Sequence, residues 1–353
     1  MVPVDFAQLP LWQNSLVFVV TAAVIWLVGS RLSVHAAIIA DKTGLGEVFV
    51  GLLLLAVATS LPEIGRTITA SAIGNAPLAV DSLFGGVVLQ TAVLALADLV
   101  VAQRVLTYFA PRPVLLLQGA MVVLLLGLAL AGIAAGEVVH FLAIGLWSAL
   151  LFGLYAFSLY SLRSYESREQ WRPVNVPDEL KEKELAGVGG QVDRGGHSLT
   201  RVAILFAVSS LVIFVAGVLL AQVGDALAVQ TGLGASFVGA TLLAFASALP
   251  EMSTTIAAAR MGAYSMAISN IFGTNALLVA LVFLADVFYR QGPILEAVDQ
   301  SSAFVAAVGL VTTAIYLIGM IERRNRTFLG MGLDSLAVLV IYPFTLLMLY
   351  LMR

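Results

Sequence analysis

Long apolar runs, separated by short polar breaks, extend along almost the whole chain. About ten of them are long enough to cross a lipid bilayer, since a membrane-spanning helix needs roughly 20 apolar residues. The runs lie at approximately 13–30, 46–72, 77–101, 113–135, 138–162, 201–223, 235–260, 263–288, 301–320 and 328–351. We expect a very short turn around Ala135–Glu137, between the fourth and fifth runs. The pattern predicts an all-α integral membrane protein of about ten transmembrane helices.

The composition agrees with a membrane protein. Of the 353 residues, 60% are hydrophobic and 11% are charged, whereas soluble domains carry about 25% charged residues. The chain has no cysteine, so we expect neither disulfides nor thiolate metal sites. No basic patch lies on a soluble domain, which argues against nucleic acid as a partner. The lipid bilayer is the expected surrounding, no bound cofactor is expected, and the oligomeric state stays open.

Lysine and arginine indicate the orientation. If the polar breaks alternate between the two sides of the membrane, one side receives Arg290 and Arg353, while nearly all other basic residues fall on the opposite side. The positive-inside rule makes the basic side cytoplasmic and places both termini outside. The polar stretch 164–198 is then a flexible cytoplasmic linker, with a short helix predicted near Asp178–Ala186.

One segment of the chain occurs twice. Residues 51–98 and 239–286 align without a gap, with about twenty identical positions, and each contains Leu-Pro-Glu. The copies begin in the second and seventh spans, so they cross the membrane in opposite directions. This arrangement predicts two inverted five-helix repeats, 1–163 and 199–353, with a substrate site where they meet near the midplane.

The duplicated motif carries the chemistry of an ion site. Pro62 and Pro250 each free a backbone carbonyl of the preceding turn, which a membrane interior tolerates only where it faces water, protein or an ion. Glu63 and Glu251 add negative charges that need compensation in that environment. Hydroxyl groups flank the prolines at Thr59, Ser60 and Ser247. We expect both glutamates to bind a cation; the alternative is that each glutamate bonds only within its own repeat.

At this point the sequence resembles a family. The segment from Thr59 to Glu63 is similar to the first signature of the cation/calcium exchanger superfamily, and the segment from Ser269 to Asn275 resembles its second. The resemblance implies ten helices in a prokaryotic cytoplasmic membrane, with ions bound between the repeats. The ligands that it implies are the carbonyls of Ala56 and Ala244 and the side chains of Thr59, Ser60, Glu63, Ser247, Glu251 and Thr274.

The sequence departs from the family pattern at several ligand positions. Ala248 replaces a serine of the second copy. In the first copy the second signature is eroded, so that Gly86 lacks a hydroxyl and Gln90 stands where the family often has asparagine. Leu278 occupies a position where some members of the family have an acidic or amide residue. Fewer oxygen ligands indicate fewer bound ions or a changed preference among them.

Two charged residues of the first copy are possible modulators of the site. Arg66 follows Glu63 by three positions, where the second copy has Thr254. It either pairs with Glu63 or Asp81 in place of a cation, or extends towards the membrane interface. Asp81 is either a new ligand or the partner of Arg66. Asp98 and Asp286, at matching span ends, are expected to be interfacial.

The leading hypothesis is a secondary active antiporter of the sodium/calcium exchanger type, which exchanges small inorganic cations such as calcium for sodium or protons. The alternatives are a cation/proton exchanger with altered ion preference, and a non-transporting scaffold or sensor. An intramembrane enzyme is disfavoured, because the chain has neither His-Glu-x-x-His nor Gly-x-Gly-Asp.

Overall fold

The computed structural model describes residues 6–101, 105–110, 112–137, 139–141, 143–166, 198–231 and 237–352, and leaves out the side chains of 7, 101, 140, 141, 166, 228 and 237–244. Long helices dominate these residues. They are α1 Leu11–Thr43, α2 Glu47–Thr59, α3 Leu61–Ala72, α4 Ala76–Val101, α5 Pro113–Ala135, α6 Leu146–Glu166, α7 Leu199–Gln230, α8 Phe237–Arg260, α9 Tyr264–Phe288, α10 Gln300–Glu322 and α11 Leu333–Leu351.

The helices match the predicted spans in number and order. Among the described residues, seven helices are long and apolar enough to cross a membrane, and the bent pair α2–α3 adds an eighth. Helices α6 and α8 lie at the two remaining predicted positions. The predicted all-α fold of two five-helix repeats is therefore confirmed.

Several predicted boundaries are wrong. The expected short turn at Ala135–Glu137 is a longer connection that contains a hairpin of β1 (His140–Phe141) and β2 (Ile144–Gly145). A second hairpin, of β3 (Thr327–Phe328) and β4 (Met331–Gly332), precedes α11 at the equivalent place in the other repeat. Both hairpins overlap predicted spans, because their residues are largely apolar.

Two other predictions concern the ends of spans. The first span was expected at 13–30, but α1 continues to Thr43, where Gly44 with φ of 67° ends it. A left-handed residue of this kind is a common helix terminator, and glycine adopts it without strain. In the predicted linker, Ser198 caps α7 by accepting a hydrogen bond from the Arg201 amide at 3.3 Å. The helix predicted near Asp178–Ala186 lies outside the described residues.

The end of α4 is fixed by a buried carboxylate. Asp98 is fully buried. One of its oxygens accepts from the amide of Leu106 at 2.6 Å, and the other accepts from the amide of Gly332 at 2.8 Å. Leu106 belongs to the loop that follows α4, whereas Gly332 belongs to the hairpin of the second repeat.

The equivalent contact occurs at the end of α9. The buried side chain of Asp286 accepts from the amide of Ile294, in the loop that follows α9, at 2.7 Å. It also accepts from the amide of Gly145 at 2.7 Å and from the hydroxyl of Ser148, both in the first repeat. Each aspartate thus joins its own loop to the other repeat, and we call the two contacts the aspartate latches. Asp98 and Asp286 lie at the ends of their spans, as predicted, and their carboxylates bind backbone amides there rather than joining the cation site.

Helix α2 approaches α9 closely because two glycines lie at the contact. A Cβ atom at Gly273 would lie 2.6 Å from the carbonyl oxygen of Leu52, and one at Gly51 would lie 2.9 Å from the carbonyl oxygen of Met266. Distances below 3.0 Å to backbone atoms leave no room for a side chain, so only glycine permits this approach. The wider π-helical turn Val50–Leu55 lies in the same segment. The contact places the break between α2 and α3 beside α9.

Candidate cation-binding site

The two Leu-Pro-Glu copies adopt different backbone geometries. In the first copy the chain bends by 51° between α2 and α3, with Ser60 at the break. Pro62 lies in the first turn of α3, where a missing N–H is tolerated because it would have no helical partner. In the second copy, Pro250 lies inside α8, which continues through it. The first copy therefore presents Glu63 at the positive end of a new helix.

The two glutamates come together in the interior. Glu251 is fully buried, Glu63 is 8% exposed, and their charges are close enough to act on each other. One carboxylate oxygen of Glu63 and both of Glu251 are buried without a hydrogen-bond partner. Free carboxylate oxygens from two opposed repeats form an electronegative centre that suits a cation.

The predicted hydroxyl ligands surround this centre to different extents. Thr59 lies beside Glu251, but its hydroxyl donates to the carbonyl of Leu55 at 3.0 Å. The hydroxyl oxygen of Ser60 is buried and has no hydrogen-bond partner. Ser247 is partly buried in α8. Of the Thr59 and Ser60 hydroxyls, that of Ser60 is therefore the more available to an ion.

The two predicted carbonyl ligands, Ala56 and Ala244, lie on α2 and α8. The carbonyl of Ala56, which is buried, accepts from the amide of Ser60 at 3.1 Å and from the hydroxyl of Thr59 at 3.3 Å. Ala244 lies in the part of α8 whose side chains the structure does not describe. The Ala56 carbonyl is thus already hydrogen-bonded within its own helix.

Buried amides of α9 extend the polar centre. Asn270 donates to the hydroxyl oxygens of Thr254, at 3.1 Å, and Thr255, at 3.0 Å, in the turn after Glu251. The side-chain amide oxygen of Asn270 is buried without a partner. Thr274, one turn further, is fully buried and donates to the backbone carbonyl of Asn270 at 2.9 Å. Sequence reasoning quoted Asn270 within a motif but gave it no role.

A second amide joins the two repeats directly. Asn275 of α9 donates to the hydroxyl of Thr91 of α4 at 3.1 Å, and both residues are fully buried. The Asn275 amide oxygen is free of hydrogen bonds, as is that of the buried Gln90. Of these amides, the sequence pointed to Gln90 alone and gave no role to Asn270 or Asn275. The feature of the sequence that could have pointed to Asn275 is its position at the end of the second signature.

Arg66 combines the two interpretations that the sequence left open. Its guanidinium lies 3.4 Å from a carboxylate oxygen of Glu63, while its side chain is 42% exposed. Its charge also acts on Asp225 of α7, a residue that sequence reasoning did not single out. Arg66 therefore neutralises part of the Glu63 charge from an exposed position at the edge of the centre.

Asp81 lies away from Arg66. Its carboxylate accepts from the hydroxyls of Ser301, at 3.5 Å, and Ser302, both at the start of α10. Ser301 also donates to Asp299, the residue that caps α10, at 2.5 Å. This hydrogen bond, assisted by the neighbouring amides, lowers the pKa of Asp299 below its usual range. Asp81 thus anchors α4 to α10, and Glu63 rather than Asp81 is the partner of Arg66.

The donor set is sparse in charge. Within the described ranges, no group of three or more histidine, cysteine, aspartate or glutamate side chains could hold a metal ion. Two carboxylates with neutral hydroxyl and amide oxygens remain. Such a set suits reversible binding of moderate affinity, because sites that bind calcium tightly contain further carboxylates.

Comparison with known proteins agrees with this geometry. The family model described as "Sodium/calcium exchanger protein" matches residues 14–163 and 201–351. The "Inner membrane protein YrbG" of Escherichia coli is 25% identical over 75% of this chain and 76% of its own length. The "Sodium/calcium exchanger MaX1" of Methanosarcina acetivorans is 33% identical over 88 residues, and the chain spans only 24% of that relative.

Solved structures share the fold. The sodium-calcium exchanger NCX_Mj superimposes with a TM-score of 0.72, over 96% of this chain and 99% of that one, at 16% sequence identity. At that identity the likeness concerns the fold alone. The family match covers both repeats and includes both glutamates of the electronegative centre. The chain belongs to the sodium/calcium exchanger family.

Proposed function

We propose that this protein is a secondary active antiporter, which binds a cation between Glu63 and Glu251 and exchanges it for sodium or protons by alternating access. Calcium is the expected divalent cation. The observation that carries the proposal is the meeting of two buried carboxylates, one from each repeat, with oxygens free of hydrogen bonds. Alternating occupancy follows, because two such charges are strongly disfavoured unless a cation or a proton compensates them.

One observation favours protons as the second cargo. Glu251 is fully buried, both of its oxygens are free, and Glu63 repels its charge. When no metal cation is bound, a proton is the smallest compensating charge. A cation/proton exchanger is therefore the second candidate.

The test is ion flux through purified protein in proteoliposomes. We expect calcium uptake when an outward sodium gradient or an outward proton gradient is imposed, and none in protein-free liposomes. Uptake driven by sodium alone identifies sodium as the exchanged ion, whereas uptake driven by protons alone selects the cation/proton exchanger. Absence of cation flux under sodium, potassium and proton gradients would leave a scaffold or sensor as the function.

The orientation has its own test. We propose that both termini face outside, in the cytoplasmic membrane of a prokaryote, and that the 164–198 linker is cytoplasmic. The chain has no cysteine, so labelling of a single introduced cysteine shows on which side of the membrane that residue lies. In intact cells an impermeant thiol reagent should label Gln300→Cys and spare Ser198→Cys; both residues are exposed. Labelling in the reverse pattern would invert the topology.

A further inference from the structure

The inverted repeat gives every contact between α4 and α9 a counterpart. Position 86 of the first repeat aligns with position 274 of the second, and position 90 aligns with 278. Across the pseudo-two-fold axis, the counterpart of a contact between residues 86 and 278 is therefore the pair of positions 274 and 90. In a symmetric site the two pairs would have the same chemistry.

In this chain one of the two pairs is apolar. A Cβ atom at Gly86 would lie 2.7 Å from the end of the Leu278 side chain. Leu278 is fully buried and thus fills the space that a side chain at position 86 would occupy. Neither residue offers a side-chain oxygen.

The symmetry-related positions are polar. Their residues are Gln90, which is 3% exposed, and Thr274, which is fully buried. The amide oxygen of Gln90 is free of hydrogen bonds. The hydroxyl of Thr274 donates to a backbone carbonyl, which leaves its lone pairs available to a cation.

The neighbouring residues repeat the same division. On the polar side, the Asn275 side chain donates to the Thr91 hydroxyl at 3.1 Å, and the side-chain amide oxygen of Asn275 has no hydrogen-bond partner. The aligned positions on the other side are Val87 and Val279, both fully buried. Because α4 and α9 are antiparallel, residues 90 and 91 of one lie beside residues 274 and 275 of the other. The crossing of α4 and α9 therefore has a polar side, with residues 90, 91, 274 and 275, and an apolar side, with residues 86, 87, 278 and 279.

We infer that the cation site is one-sided: ions are coordinated on the Gln90–Thr274 side of the α4–α9 crossing, and the Gly86–Leu278 contact excludes them from the opposite side. This inference rests on the proposed function. A dehydrated cation needs oxygen ligands, and Leu278 presents only methyl groups. The carrier thus holds fewer cations at once than a site with both sides polar. In the proposed orientation, the polar side lies towards the cytoplasm.

The experiment compares shape-conserving substitutions on the two sides. Gln90→Leu and Thr274→Val remove the polar atoms and nearly keep the volume, while Leu278→Met keeps an apolar side chain on the other side. Binding of calcium chloride and of sodium chloride is measured separately by isothermal titration of the purified full chain. Thermal unfolding of each variant confirms that it is folded.

We expect Gln90→Leu and Thr274→Val each to weaken binding of at least one of the two cations by tenfold or more. Leu278→Met should stay within twofold of the parent chain for both cations. Equal losses on the two sides, or unchanged binding in folded Gln90→Leu and Thr274→Val, would overturn the one-sided site while leaving exchange itself intact. A parent chain that binds neither cation would instead remove the proposed function, and the inference with it.

Discussion

Glu251→Gln is expected to abolish cation exchange in proteoliposomes. Glutamine keeps the shape of the side chain but removes a charge that lies fully buried with both oxygens free. Charge-assisted contacts contribute about 1.5–3 kcal/mol each, and about 1.4 kcal/mol is a factor of ten in affinity. The loss of transport should therefore be at least tenfold, as measured by calcium uptake under an imposed gradient.

Glu63→Gln should also reduce exchange severely, and for an additional reason. It leaves the Arg66 guanidinium, now 3.4 Å from Glu63, without its carboxylate and facing the cation. Ser335→Ala, a substitution at a buried hydroxyl near Asp98, serves as the control for general damage to the core. Near-normal transport by either glutamine variant would mean that its carboxylate is structural.

Arg66→Thr is expected to tighten calcium binding. Threonine is the residue at the aligned position of the second repeat, and the substitution restores the full charge of Glu63. The arginine side chain is 42% exposed, so solvent screens the pair, and exposed pairs of this kind contribute about 0.2–1 kcal/mol. The calcium affinity should rise by up to about fivefold, as measured by isothermal titration in one buffer.

The control for Arg66 is a substitution that conserves its charge. Arg66→Lys should bind calcium with an affinity close to that of the parent chain, since a positive charge remains beside Glu63. The difference between Arg66→Thr and the parent chain should also shrink as the salt concentration rises. Unchanged affinity in Arg66→Thr, together with intact transport, would place Arg66 outside the site.

The features predictable from sequence are local patterns and motifs that lie within one repeat. The apolar runs locate the helices, and the duplicated Leu-Pro-Glu identifies Glu63 and Glu251 together with their opposed orientation. The same runs conceal the β-hairpins, because apolar hairpin residues such as Phe141 and Phe328 continue the helical pattern.

The features that sequence does not predict depend on contacts between repeats. Alignment pairs Thr91 with Val279 and Asn275 with Val87, yet the hydrogen bond joins Thr91 to Asn275. Only the crossing of α4 and α9 reveals that partnership. The partner of Arg66 was undecided for a related reason, since a long side chain reaches several acids and its direction is set by packing.

The aspartate latches have a consequence for biosynthesis. The first repeat leaves the ribosome with the amide of Gly145 and the hydroxyl of Ser148 still lacking the acceptor that Asp286 supplies. One oxygen of Asp98 in turn waits for Gly332, which is made 234 residues later. A buried acceptor that lacks its hydrogen bond costs about 1–3 kcal/mol. Neither half is therefore expected to be a self-sufficient folding unit, and the native packing of the first repeat is completed only when the second repeat has been made.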